Sequence, residues 1–205
     1  MSKGLVVEKT DKHGNIDTIV LSDVKQSLLA GKFVILPVDG IYCTASILSE
    51  KNYFKLSDQG FTDIFVMIKD FSDLERYSRI EKKDYDFLHR LWPDDVYVKL
   101  HSTFEESFDT DFFYYIPKTG YLNTLLNQVD QPIMYSFKNN RKSKPYYSIT
   151  DLKRAYSRVA DRMLIINQYC KEHLSPTFID IRNKRIQIVS PGRVDDEDIK
   201  SLYYL

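Results

Sequence analysis

The sequence predicts a single mixed α/β domain, and three observations carry that expectation. Short apolar runs, some with period two, alternate along the chain with stretches of helical period. With 205 residues, 43% of them hydrophobic and 28% charged, the chain is long enough and apolar enough to close a core. It contains no internal repeat and no stretch rich enough in Pro, Gly or Ser to serve as a linker, so residues 1–205 read as one domain.

In chain order, Leu5–Val7 and Ile16–Leu21 read as strands on either side of a turn at His13-Gly14-Asn15. Ser22 then caps a helix whose apolar positions Val24, Leu28 and Leu29 recur at helical spacing until Gly31 ends it. Phe33–Leu36 reads as a buried strand that stops at Pro37, because proline cannot donate to a sheet ladder. After the Val38-Asp39-Gly40 turn, Ile41–Leu48 is the next strand. Ser49 caps a helix running towards Gln59 and Gly60, and Ile64–Ile68 is a strand. Helical stretches follow around Leu74 and from Glu81 to Leu91, the latter broken by Trp92-Pro93-Asp94-Asp95. Val96–Leu100 and Phe112–Ile116 are strands separated by an acidic segment. Leu122, Leu125, Leu126 and Val129 mark an amphipathic helix before the strand Pro132–Tyr135. Past a polar, basic stretch from Lys138 to Pro145, a helix starts at Thr150-Asp151. Met163–Ile166, Phe178–Ile181 and Arg185–Val189 are strand-like, the last two joined as a hairpin through Asn183-Lys184. Asp195–Leu202 closes the chain as a helix whose first-turn carboxylates suit its positive N-terminus.

Charge and composition exclude several classes. The 29 basic residues balance the 29 acidic ones, so nothing in the overall charge marks a partner of nucleic acid or anionic membrane, and any such binding has to be local. Only 7 glycines are present, and neither a P-loop nor a G-x-G-x-x-G fingerprint occurs. Cys43 and Cys170 fit no ligand spacing and read as core thiols rather than a disulfide framework or a zinc module. The N-terminus lacks a secretory apolar stretch, and no run reaches the roughly 18 apolar residues of a membrane span. A cytoplasmic protein without a membrane partner is expected.

Taken alone, the reactive residues are weak signals. His13, His89, His101 and His173 have no second histidine at helical ligand spacing, so no metal site is expected and satisfied or solvated imidazoles are the reading. Glu105, Glu106, Asp109 and Asp111 lack the order of a calcium loop. Lys138, Arg141, Lys142 and Lys144, with Tyr146 and Tyr147 beside them, combine cations for phosphates with rings on which bases could stack, though near-neutral proteins carry such loops without binding RNA.

Spaced segments say more. Gly31-Lys32-Phe33-Val34-Ile35-Leu36-Pro37-Val38-Asp39-Gly40-Ile41-Tyr42 resembles the G-x-(I/V)-x-x-x-P-T-(D/E)-T-V-Y signature of the YrdC/YciO family, whose active members are threonylcarbamoyl-AMP synthases. Leu91-Trp92-Pro93 falls where that family has a W-P-G turn, and Pro132–Asn139 is similar to its P-(L/I)-x-x-T-S-A-N segment. Pro176–Asp180 and Val189–Val194 resemble its S-T-(V/I)-(V/I)-D and closing R-P-G-x-(I/V) segments, so order and spacing agree from about Ser22 to Ile199. The resemblance implies a twisted mixed sheet flanked by helices around a concave basic surface. It also implies a place in tRNA threonylcarbamoyladenosine biosynthesis, where active members join threonine, bicarbonate and ATP, with magnesium sharing the charge.

Adenylation has to hold a triphosphate beside a carbonate-derived anion, so fixed cations are needed where charge accumulates. The departures from the family pattern fall on those cations. The helical K-x-R aligns with Leu56-Ser57-Asp58, a one-residue shift bringing Lys55 to its first position. Tyr115 replaces the arginine of the R-(I/V)-P strand, Ser190 the arginine before P-G, Phe137 the serine of S-x-N, and Val38 and Gly40 the signature threonines. An aspartate in place of a cation reverses an interaction on the order of 3 kcal/mol at ~5 Å and an effective dielectric near 20.

The expectation is therefore a divergent YrdC/YciO-like protein whose synthase activity is lost or altered and which keeps a nucleotide- or RNA-binding surface. It would have no obligatory cofactor and would meet RNA or tRNA-modification proteins. An active synthase using ATP and magnesium with Lys55, Lys138, Arg141 or Arg193 as relocated cations is the alternative, and a ligand-free protein-interaction domain is a further one. For a retained nucleotide pocket, Asp39, Tyr42, Ser136 and Asn139 would line it, with Arg141 and Arg193 as anion contacts. No catalytic residue is assigned.

Overall fold

A computed structural model of the chain describes residues 6–9, 16–61, 63–103, 111–117, 120–137, 148–165 and 175–205. In order, its elements are β1 (Val6–Lys9), α1 (Thr18–Leu29), β2 (Phe33–Val38), β3 (Ile41–Ile47), α2 (Glu50–Ser57), β4 (Phe65–Met67), α3 (Phe71–Tyr77) and β5 (Ser78–Arg79). Then come α4 (Lys82–Leu91), β6 (Val96–Ser102), β7 (Phe112–Tyr115), α5 (Tyr121–Val129), β8 (Ile133–Ser136), α6 (Ile149–Tyr156), β9 (Ala160–Ile165), β10 (Thr177–Asp180), β11 (Gln187–Ser190) and α7 (Asp196–Tyr204). The packing groups these into two compact units, one drawn from residues 1–64 and 127–173, the other from 65–126 and 174–205.

In the first unit the strand order is β1-β9-β2-β3-β8. β9 pairs in parallel with β1 and β2, while β3 runs antiparallel to β2 and β8. The buried apolar side chains of α1, Leu21, Val24 and Leu28, recur at helical spacing and pack α1 on this sheet, and Leu56 of α2 is fully buried. In the second unit the order is β4-β7-β6-β10-β11, with β5 added to β6. Parallel β4–β7 and β6–β10 pairs alternate with antiparallel β6–β7 and β10–β11 pairs, the mixed sheet the sequence predicts. Phe87 of α4 packs edge-on against Tyr203 of α7 at 5.0 Å, and the Tyr203 hydroxyl donates to Asp84 Oδ1 at 3.0 Å. Desolvation raises the Asp84 carboxyl above its ordinary value, the hydrogen bond from Tyr203 opposing it.

Four expectations are corrected. Ile16–Leu21 is not a strand: Asp17 accepts from Ile19 N at 2.7 Å and caps α1, displacing Ser22 from the role. The alternation of Ile16, Thr18 and Val20 imitates period two, but Ile19 is 70% exposed and the buried set follows the helix. β1 therefore pairs with β9 instead of forming a hairpin, and the turn expected at residues 13–15 lies outside the described residues. β2 runs on through Pro37, which sits opposite Tyr42 of β3. Pairing of β2 with β9 ends at Ile35, so Pro37 stands where a ladder exists on one side only and its missing N–H is tolerated. The two-residue β5 carries no sequence signal at all.

Candidate functional site

Asp39, Tyr42 and Ser136 belong to the first unit. The β2–β3 loop is Asp39-Gly40, with φ of 45° and 78°. Two left-handed residues make the hairpin turn whose twist matches its strands; aspartate tolerates that conformation and glycine adopts it without strain. Gly40, where the family pattern has threonine, is thus the residue this turn requires. Beyond it, Tyr42, Thr44 and Ser46 share one face of β3 by strand alternation, and Thr44 lies opposite Ser136 of β8. Tyr42 is buried. Ser136 Oγ donates to the Asp63 carbonyl at 2.5 Å, so its proton is committed and the oxygen can act only as an acceptor.

Thr44 was not singled out by the sequence. It is fully buried, and its Oγ1 has no hydrogen-bond partner among the described residues. An unmade bond of this kind costs about 1–3 kcal/mol, which a ligand or a further segment could recover. A threonine inside an apolar run gives no signal; only the register opposite Ser136 reveals it. Ser46 on the same face is satisfied, donating to the Lys32 carbonyl at 3.1 Å and accepting from Asn52 Nδ2 at 2.8 Å. Behind them, burial, with the Asp39 carboxylate adding to it, pushes the Cys43 thiol well above its ordinary range. Cys43 is the core thiol the sequence predicts and is no nucleophile. Cys170, Asn139, Arg141 and the rest of the basic run fall outside the described residues.

Arg193 belongs to the second unit, its Nε 3.5 Å from Asp95 Oδ2. Its turn is built tightly. Thr177 Oγ1 donates to the Val194 carbonyl at 2.9 Å and accepts from Val194 N at 3.2 Å, while Arg193 N donates to the Ser175 carbonyl at 3.0 Å. A Cβ on Gly192 would lie 2.3 Å from Ser175 O, so only glycine fits. Trp92, whose bond to Pro93 is cis, donates from Nε1 to the Val96 carbonyl at 2.9 Å and fixes the entry to β6. The motif residues of this unit thus have backbone duties.

The positions read as lost cations have different fates. Leu56 is fully buried, and Lys55 places Nζ 6.0 Å from the Phe33 ring centre. Tyr115 is 5% exposed and stacks on Tyr97 at 4.5 Å, with Tyr97 stacked on Phe178 at 5.0 Å. Phe65 contacts Tyr97, Phe113 and Phe178, extending the rings across β4, β7, β6 and β10. Ser190 pairs with Phe178 at the edge of this face. Lys99, also missed by the sequence reading, holds Nζ 5.5 Å from the centre of Phe113. His89 stacks on Phe71 at 3.7 Å and His101 Nδ1 meets Asp111 Oδ1 at 3.0 Å, the partnered imidazoles expected. His13 and His173 lie outside the described residues.

The Sua5/YciO/YrdC domain model, described as telomere recombination, matches residues 26–192, most of the chain. The chain belongs to the Sua5/YciO/YrdC family. It is similar in structure to E. coli YciO, with TM-score 0.75 at 15% identity over 93% of this chain and 96% of that one. P. abyssi Sua5 complexed with L-threonine gives 0.77 at 15% identity, over 97% of this chain but 60% of Sua5. T. kodakarensis HypF gives 0.71 at 13% identity, over 87% of this chain and 25% of HypF. At such identities the likeness fixes the fold alone. No curated protein matches the chain. The Sua5/YciO/YrdC family is the one to which the spaced motifs point, related to tRNA threonylcarbamoyladenosine synthesis. No helix among the described residues is long and apolar enough to cross a membrane.

Proposed function

We propose that this Sua5/YciO/YrdC protein has lost or altered threonylcarbamoyl-AMP synthesis and retains adenine-nucleotide binding through neutral groups. The observation that carries the reading is Tyr115, buried at the end of the Tyr115–Tyr97–Phe178 stack where the family pattern has a strand arginine. A triphosphate needs fixed positive charge, and a buried phenol stacked on Tyr97 supplies none. Lys55 and Arg193, the relocated cations of the active-synthase alternative, are engaged with the Phe33 ring and Asp95 respectively. What the first unit offers instead is Tyr42, the orphan hydroxyl of Thr44 and the lone pairs of Ser136, partners for a base or a ribose. Asp39 and Asn139 complete the proposed lining. RNA or tRNA-modification proteins are the proposed partners.

Calorimetry with adenosine and with ATP and magnesium, alongside a pyrophosphate-release assay containing threonine and bicarbonate, tests this. Adenosine and ATP are expected to bind within about threefold of one another, with no pyrophosphate released. Micromolar ATP binding that adenosine does not match, accompanied by pyrophosphate, would establish the active-synthase reading in its place.

A further inference from the structure

Within the second unit a cavity of about 400 Å³ opens beside β5, between the far end of β6, the start of α4 and the turn after β10. Its lining is rich in charge, most of it already committed. Arg182 holds Asp180 through Nε and Nη2 and Asp111 through Nη1. Lys184 Nζ meets Glu81 Oε1 at 2.8 Å, and Asp84 accepts from Tyr203. His101 uses Nδ1 on Asp111.

What remains uncommitted is specific. The Arg79 guanidinium has no hydrogen-bond or charged partner among the described residues, and neither has Nε2 of His101. Arg79 and His101 are directly opposed across the β5–β6 ladder, so they stand on one face with Cβ atoms roughly 5 Å apart. Beneath them Leu100 and Ile181 are 2% and 1% exposed and give the cavity an apolar wall.

We propose that this cavity binds a metabolite-sized molecule through an oxyanion, a phosphate or a carboxylate, gripped by Arg79 with His101 Nε2 beside it. The guanidinium fork matches two oxygens of either group. Asp111, itself anchored by Arg182, fixes the ring by accepting the hydrogen bond from Nδ1–H. Nε2 then accepts from a protonated oxyanion when the ring is neutral and donates to an ionised one when it is charged. The volume sits at the low end of small-molecule sites, and the apolar wall suits a short carbon skeleton. None of these residues belongs to the adenine-nucleotide reading above, so the two stand or fall separately.

The full chain is titrated with inorganic phosphate and, in parallel, with acetate, while the imidazole nitrogen resonances of His101 are followed, their assignment fixed by His101→Gln. A saturable shift with phosphate, acetate or both is expected, and which of them binds more tightly distinguishes a phosphorylated from a carboxylated ligand. Arg79→Ala should weaken that binding about tenfold or more, whereas Lys82→Ala, on the neighbouring surface, should leave it within twofold. Since Arg79 is exposed, circular dichroism should show both variants folded. Absence of a saturable His101 shift with either anion, or equal affinity in Arg79→Ala, would overturn the proposal.

Discussion

The β2–β3 hairpin of the first unit and the β4–β7–β6–β10 face of the second match the same family pattern and depart from it differently. The hairpin keeps Pro37, Asp39 and Tyr42, and changes a threonine to Gly40 in a loop with two positive φ values. The sheet face keeps the Thr177 and Gly192 that build its turn, but Tyr115 and Ser190 stand where the pattern has arginines. Residues that shape backbone persist in both regions. Residues whose value is charge are replaced, and the replacements satisfy one another: an aromatic face needs no counter-ion, and its stacked pairs contribute about 0.5–1.5 kcal/mol each beyond their burial.

The sharpest way to break this comparison is Tyr115→Arg, which restores the family's guanidinium. Buried against Tyr97 it would be an unpaired charge, and a loss of about 3–5 kcal/mol is expected in urea denaturation. A variant that stays as stable as the parent and gains ATP affinity would show the face to be a vacated anion site and not a packed one.

Arg182→Met asks a related question of a cation the second unit does retain. It removes the cation from Asp180 and Asp111, whose side chains are 10% and 25% exposed, leaving them only the residue-182 backbone N–H and His101 respectively, and about 2 kcal/mol should be lost at pH 7. Burial by itself raises the Asp180 carboxyl, but the hydrogen bonds from the Arg182 side chain and backbone outweigh it and hold the group below its ordinary 3.8. A depressed folded-state value means stabilisation that is complete above about pH 4 and disappears as pH falls through the lowered value. The difference between parent and variant should therefore shrink in acid, which denaturation curves at pH 7 and pH 3 would measure.

Gly40→Thr, the smallest effect, restores the family residue in the hairpin. A β-branched side chain at a φ of 78° should cost about 1–2 kcal/mol in a thermal melt, since only glycine is unstrained there. A neutral result would mean that the loop relaxes to another turn and that backbone geometry is not what distinguishes the hairpin.

Much of the fold is legible in the letters because local rules agree with it. Ser49 caps α2, accepting from Asn52 N at 3.3 Å, Asp195 caps α7, and the hairpin through Asn183-Lys184 forms with Lys184 at a φ of 58°. Ile16–Leu21 misleads because β-branched residues imitate a strand over a span shorter than two helical turns. Pro37 misleads because whether a strand tolerates proline depends on how many neighbours it has at that point, which is decided by the partner strand. The site was half legible for the same reason. Proline, glycine and aspartate at turns announce themselves, whereas Thr44 and Lys99 owe their place to register, and Arg79 to a two-residue strand.

Cys43 lies on β3 between Tyr42 and Thr44, sealed in and held as a thiol by its surroundings. While the hairpin is closed, an alkylating reagent finds neither access nor thiolate. In a chain whose Cys170 has been changed to serine, the rate at which Cys43 is labelled would count the openings of this hairpin, a stopwatch placed one residue from the orphan hydroxyl.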